Sequence, residues 1–252
     1  MRLLLNLTTA AAGVLLAGAV AAQPAPISYK LTGDVGAAVY GTQNVIRGKG
    51  NDTTVLPYLF ADYGRFFARV DTFGFKALPL GNGYLELVGR VSQDGWRANI
   101  APLGGLTDRR TPIPLGIGTF QQTRYGGFMV NAFVDAGSSR GNLLEATYVA
   151  EIKLGSLSLY PQLGIERRSA KYTNYLYGVT PAESLASGYA AYSAGASTTP
   201  VLGLAADYSL AENWIVNLQL RRKWLDSAVT NSPLVVRKTQ DTGYIGLSYR
   251  FK

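Results

Sequence analysis

The sequence predicts an all-β protein: a transmembrane antiparallel β-barrel of about ten strands, with twelve possible, behind a cleaved signal peptide. Three observations predict it. Apolar and polar residues alternate with period two along most of the chain, which is the strand period and not the helical one. Tight and long connections alternate between those stretches, as in outer-membrane barrels. After the N-terminus, no run approaches the roughly 18 uninterrupted apolar residues of a membrane helix.

The chain opens with MRLLLNLTTAAAGVLLAGAVAAQPA: one Arg, a short apolar stretch, and small residues at Val20-Ala21-Ala22 before Gln23. This reads as a secretory signal peptide cleaved near Ala22, giving residues 1–22 as signal and 23–252 as one barrel domain. A membrane helix is the alternative, but Asn6, Thr8 and Thr9 interrupt it and Pro24 and Pro26 follow. No Cys stands at the cleavage site, so a lipid-anchored lipoprotein is excluded.

Alternation first appears in 27–40. Segment 41–64 is expected to be largely loop, although its stretch TTVLPYLFADY could itself form strand, and twelve strands then become possible with one further pairing. Further strands are expected at 65–77, 83–92, 112–121 and 126–136, with a tight turn, LPLGNG, near 78–83 and a long polar loop at 93–111. In NLLEATYVAEIK, Leu144, Ala146, Tyr148, Ala150 and Ile152 share a face opposite Glu145, Thr147, Glu151 and Lys153. KLGS at 153–156 turns into SLSLYPQLGIE, where Leu157, Leu159, Leu163 and Ile165 oppose Ser158, Tyr160, Gln162 and Glu166. A long polar segment, 167–199, precedes a strand at 200–210 and the turn LAEN. In NWIVNLQLRRK, Trp214, Val216, Leu218 and Leu220 oppose Asn217, Gln219, Arg221 and Lys223. After a long loop at 225–240 the chain closes on DTGYIGLSYRFK.

A soluble β-sandwich also predicts alternation. Two features weigh against it: strands of about ten residues, against a usual five or six, and faces that carry many charges. In a barrel those charges line the lumen while the apolar face meets lipid. The closing strand carries that lipid face on Ile245, Leu247, Tyr249 and Phe251. A bare edge cannot persist in hydrocarbon, so it must pair with the first strand. Ser248, on the lumen face, should accept Arg more readily than Leu247 if space allows.

Composition narrows the chemistry. The 252 residues include no His and no Cys. That removes His-activated nucleophiles, thiolate chemistry and most zinc sites. Net charge is +8, but the cations are scattered and no nucleic-acid motif is present, so no nucleic-acid partner is expected. IRGKGND fails the phosphate-loop pattern, because Lys49 is followed by Gly50. Glu145 and Glu151 could act as acid and base, but a polar lumen explains them more simply. No catalytic, cofactor or metal residues are assigned.

Two charged sets remain. Arg47, Lys49, Arg97, Arg109, Arg110, Arg167, Arg168, Lys171, Arg237 and Lys238 fall in segments expected outside. There they could contact the phosphates of lipopolysaccharide or be ordinary solvated charge. Lys30, Asp34, Arg69, Asp71, Glu86, Arg90, Glu145, Glu151, Arg221 and Lys223 are expected in the lumen, with Tyr84, Tyr160 and Tyr244 adding bulk. Both signs occur, which suits a filled interior.

The C-terminal third carries more than a generic pattern. Gly178-Val179-Thr180, Ser187-Gly188, Tyr192, Trp214, Leu225, Ser232-Pro233-Leu234-Val235 and the closing Gly246-Leu247-Ser248-Tyr249-Arg250-Phe251 resemble the MltA-interacting protein (MipA)/OmpV family of outer-membrane proteins. LPYLFADYGRFF (56–67), Gly89-Arg90 and Gly104-Gly105-Leu106 fit more loosely. The resemblance implies a bacterial outer-membrane location and a scaffold joining a lytic murein transglycosylase to a murein synthase. Other members are linked to adhesion and antibiotic susceptibility. It implies no catalytic residues. The terminal aromatic resembles the signal read by the barrel assembly machinery, with Lys252 one residue beyond the expected end. The reading is therefore a non-enzymatic, envelope-organising barrel. The alternatives are a narrow channel for small solutes and a surface adhesion protein.

Overall fold

Period-two patterning builds a wall that is apolar outside and polar inside, and the computed structural model, which describes residues 26–252, shows that wall. The expected signal peptide and its cleavage site lie outside the described residues. The strands are β1 (Thr32–Thr42), β2 (Asp52–Tyr63), β3 (Phe66–Arg69), β4 (Thr72–Leu80), β5 (Gly83–Arg90), β6 (Pro114–Thr123), β7 (Gly126–Asp135), β8 (Asn142–Ala150), β9 (Ile152–Leu154), β10 (Leu157–Arg168), β11 (Ser197–Ser209), β12 (Trp214–Trp224) and β13 (Thr239–Phe251). Each pairs antiparallel with its neighbours, and β8 and β9 lie end to end along β10 as one interrupted strand. The result is a closed barrel of twelve strands, the larger of the two expected counts. Among the described residues no helix is long and apolar enough to cross a membrane.

The ring closes where the sequence requires it. β13 runs along β1 in unbroken register from Gly33 opposite Phe251 to Thr42 opposite Thr242. The start of β1 and the end of β13 therefore sit at the end of the barrel that carries the tight turns, and the long connections gather at the other. Inside and outside separate along each strand. Leu163, Leu220 and Ile245 are exposed on the outer surface, whereas Glu86, Asn217 and Ser248 are sealed within. At the tight-turn end, Trp214, Tyr249 and Phe251 stack edge to face at 5.5 and 5.1 Å, and Phe66 meets Phe75 at 5.4 Å. Outward aromatics at this level match the interfacial girdle of a membrane barrel.

Two departures from the ten-strand expectation account for the extra pair of strands. TTVLPYLFADY lies within β2, so only 43–51 of the supposed 41–64 loop is loop. The segment 65–77, read as a single strand, is a hairpin: β3 is four residues long and turns back through Val70 and Asp71. Val70 has φ +59°, the left-handed region that a β-branched residue rarely enters. No Gly, Asn or Pro marks this turn. Its one mark in the sequence is the break of alternation at Asp71-Thr72, after which the inward face passes from the odd positions (Phe67, Arg69) to the even ones (Thr72, Lys76).

The short β3 leaves a notch. Val70 N–H donates to the Leu59 carbonyl at 2.7 Å, the last bond between β2 and the hairpin. Beyond it toward the loop end, β2 is paired with β1 alone among the described residues.

Candidate functional site

The main apolar core lies at the loop end of the barrel, where the long connections fold into a cap. Its centre is Tyr172, Leu176, Leu103, Val229 and Leu234, all essentially without exposure. Around them pack Val45, Ile46, Trp96, Leu106, Tyr177, Val179 and Val235. Each loop brings local reasons to hold its shape. Helix α1 (Ala170–Tyr177) starts at Ser169, whose hydroxyl accepts from the Tyr172 amide. Helix α2 (Pro181–Ser187) starts with a capping box, in which Thr180 and Glu183 satisfy each other's amides, and ends on Gly188 in a left-handed conformation. Helix α3 (Ser227–Thr230) is capped by Asp226.

A short bridge, Ile46 with Val235, ties the first loop to the last, while Trp96 with Arg109 and Val179 with Tyr192 brace single loops internally. Trp96 Nε1 donates to the Leu176 carbonyl at 3.0 Å, and Ser232 Oγ donates to the Tyr177 carbonyl at 2.6 Å. Gly105 matters through its lack of a side chain. A Cβ there would come within 2.5 Å of the Ala186 backbone, so only glycine lets the 101–106 loop lie against α2.

A buried ion pair pins α2 to the 93–111 loop. Arg109 reaches both carboxylate oxygens of Glu183, at 2.9 and 3.0 Å, and its guanidinium sits 5.2 Å from the Trp96 ring centre. The Thr107 amide donates to Glu183 at 3.0 Å, and the Thr107 hydroxyl bonds the same oxygen. Burial favours the neutral acid, but the hydrogen bonds from Arg109, Thr107 and Thr180 outweigh it. They hold the Glu183 carboxyl well below the usual carboxylate range.

Beneath the cap, opposite charges span the bore. Arg90 pairs with Glu145 and, at 3.4 Å, with Asp71. Arg168 pairs with Asp94 at 3.0 Å and lies 3.6 Å from Glu166, which takes Lys223 at 2.6 Å. Nearer the tight-turn end, Arg69 grips Glu86 with two bonds of 2.7 and 2.9 Å. Arg250 grips Asp34 with two of 2.7 Å. Between these layers Tyr40, Tyr58 and Tyr244 stack across the lumen, Tyr244 lying 5.0 and 5.7 Å from the other two. A polar chamber of about 90 Å³ remains between the tyrosines and the cap. Arg90, Arg168, Arg221, Lys223, Asp71 and Asp94 contribute to its lining.

The expected outer cations divide. Arg47, Arg97, Arg110, Arg167, Lys171, Arg237 and Lys238 are exposed at the loop end, and Lys49 is half-buried. They are spread over four loops and, for Arg167, the end of β10. Arg109 and Arg168 are placed elsewhere: both are buried and bonded to internal carboxylates, so neither guanidinium is free to meet an outer phosphate. Ile245, Leu247, Tyr249 and Phe251 all point out of the barrel and are exposed.

Of the expected lumen set, Lys30 precedes β1 and is exposed, and Glu151 pairs with Lys153 at the tight-turn end. Glu86 and Asp34 are buried within, bonded to Arg69 and Arg250. Sequence reasoning left Asp94, Glu166, Asp207 and Arg250 out of the interior set. Alternation alone could have found Glu166 and Arg250, since both fall on polar faces. Asp94 lies in a loop and carries no such signal.

The residues that carried the family resemblance divide between the cap and the closing strands: Trp214 and Gly246–Phe251 lie on β12 and β13, and the rest gather in the cap. Val179, Ser232, Leu234 and Val235 are buried there, and Tyr192 donates to the Ala228 carbonyl at 3.0 Å. Comparison with known proteins agrees. The outer membrane protein YiaT of Escherichia coli (strain K12) is 26% identical over 86% of this chain and 90% of its own. The MltA-interacting protein of the same strain is 29% identical over 58% of this chain and 59% of its own. The outer membrane protein Omp26La of Vibrio anguillarum is 29% identical over 58% and 57%. The family described as MltA-interacting protein MipA matches residues 35–251, from β1 to the end of β13. This outer-membrane β-barrel belongs to that family.

Proposed function

We propose that this barrel acts without catalysis, as a scaffold or envelope-organising protein that meets murein-processing enzymes from the periplasmic side. The observation that supports the reading best is the filled interior. Charge pairs above and below a stack of tyrosines, together with a packed cap, occupy the bore. A molecule built this way offers its ends, rather than a channel, to partners. The tight turns, the start of β1 and the end of β13 face the periplasm in outer-membrane architecture. A murein transglycosylase and a murein synthase are the partners that the resemblance implies, and one relative is named for interacting with MltA. The eight cations that remain at the loop end suit phosphate groups of lipopolysaccharide on the opposite side. The aromatic Phe251 suits delivery by the barrel assembly machinery.

The test is paired. Affinity purification from gently solubilised envelopes should retain a murein-processing enzyme, and the same protein in planar bilayers should show no steady conductance. Reproducible, ion-selective conductance steps without such a partner would replace the scaffold with a channel.

A further inference from the structure

We propose that the chamber under the cap holds the phosphate headgroup of an outer-leaflet lipid, admitted sideways through the notch between β2 and the β3–β4 turn. The wall supplies the first argument. Leu59 bonds Val70 on this edge, so alternate residues above it (Pro57, Val55 and Thr53) turn their backbone polar groups the same way. Among the described residues no strand pairs with them there. About seven residues of β2 are thus open, on the order of 20 Å of strand. They lie in the half of the wall nearer the extracellular loops. Backbone groups facing hydrocarbon have to be met by something polar. Pro57 brings no N–H to the edge, as expected for a strand that is meant to stay unpaired.

The sill of the notch is also a wall of the chamber. Val70, Asp71 and Val91 line the cavity, and Val70 holds its left-handed φ there. Strain of that kind persists where the surrounding structure over-determines it and is a pointer to function.

The chamber supplies the second argument. Four cations and four carboxylates are near it, so formal charge balances, but the pairing does not. Arg90 has Glu145 and Asp71, while Arg168 and Lys223 share Asp94 and Glu166. Arg221 has no carboxylate within ion-pair reach among the described residues, and its buried Nε–H has no acceptor. Its guanidinium lines the cavity beside Gln219, Gln240 and Thr242. A fork of donors without an acceptor is suited to an oxyanion, and phosphate takes it bidentately. The cavity has room for a headgroup but not for acyl chains, which would stay outside against Val55 and Leu59.

The test uses the full protein, purified from outer membranes into detergent. It is equilibrated with mixed micelles of equal dioleoyl phosphatidic acid and dioleoyl phosphatidylcholine and read by native mass spectrometry. One phosphatidic acid per barrel should be retained, preferred about tenfold over phosphatidylcholine. Arg221→Gln should lose the preference and Arg221→Lys should recover part of it, with heat-modifiable gel mobility confirming that each variant is folded. A second variant, with β3 and β4 lengthened to pair with the open edge of β2, should lose the lipid yet still bind inorganic phosphate. Equal retention of both lipids by wild type, or an unchanged preference in folded Arg221→Gln, overturns the site. Binding of inorganic phosphate without lipid by the wild type overturns the lipid source. Lipid retention by the lengthened hairpin overturns the lateral route.

Discussion

Glu183 shows how much one side chain carries in the cap. It closes the capping box of α2 and accepts both arms of Arg109. Removing one member of a buried pair strands the other, at a cost of about 3–5 kcal/mol. Glu183→Gln should therefore lower hydrogen-exchange protection across 180–187 at pH 7 while the strand amides keep theirs. The pH dependence has a definite sign. Its folded pKa is depressed, so the stabilisation is complete above the unfolded carboxyl value, about 4.3, and is lost as pH falls toward the folded value. Wild-type α2 should lose protection below that pH, after correction for intrinsic exchange, and Glu183→Gln should not. Protection that is flat from pH 7 to 3 in the wild type would remove Glu183 as the fastening.

At the scale of the element, β13 and the β3–β4 hairpin obey different rules. Leu247 points outward and Ser248 is fully buried, its hydroxyl 2.7 Å from Asn217 Oδ1. Leu247→Arg places charge in lipid at about 2–4 kcal/mol and should reduce the amount of assembled barrel. The expectation that Ser248 would accept Arg more readily does not hold. The inner face there is closed, with Gly36 opposite and Asn217 alongside, so Ser248→Arg should also fail to accumulate as heat-modifiable protein. In the hairpin, Val70 combines a positive φ with packing against the cluster of Ala38, Tyr58 and Tyr244. Gly normally destabilises a strand relative to Ala, but the left-handed conformation costs a non-Gly residue about 1–2 kcal/mol. Val70→Gly should therefore be more stable than Val70→Ala by about 1 kcal/mol in denaturant unfolding. The usual order, Ala above Gly, would show that the turn is relaxed.

At the scale of the molecule, wall and cap are separable. The wall is held by strand pairing all around the ring, while the cap is a hydrophobic core with its own ion pair. Replacing 170–195 with a short Gly/Ser linker should leave a barrel that still shifts mobility on boiling. It should also remain non-conducting in bilayers, because the tyrosine stack and the Arg69–Glu86 and Arg250–Asp34 pairs lie below the cap. Conductance that appears only after the deletion would make the cap the seal.

Much of this architecture was legible in the residues themselves. Alternation is local, so it specified which face of β12 or β13 meets lipid, and the long polar segments marked the loop end. The closure of β13 on β1 followed from the intolerance of hydrocarbon for a bare edge. The motif residues Val179, Leu234 and Val235 identified the family before their positions were known. What stayed hidden depended on contacts between distant segments. The turn at Val70 carries only Asp71 as a turn former and puts a β-branched residue at its positive φ, because tertiary packing rather than local preference holds it, and with it went two strands and the notch. Arg109 and Arg168 read as outward charges, for lipopolysaccharide or for solvent, until their partners, Glu183 and Asp94, were brought beside them from 74 residues away. Periodicity reports the side of a strand on which a residue lies, but only the closed fold decides what stands opposite it.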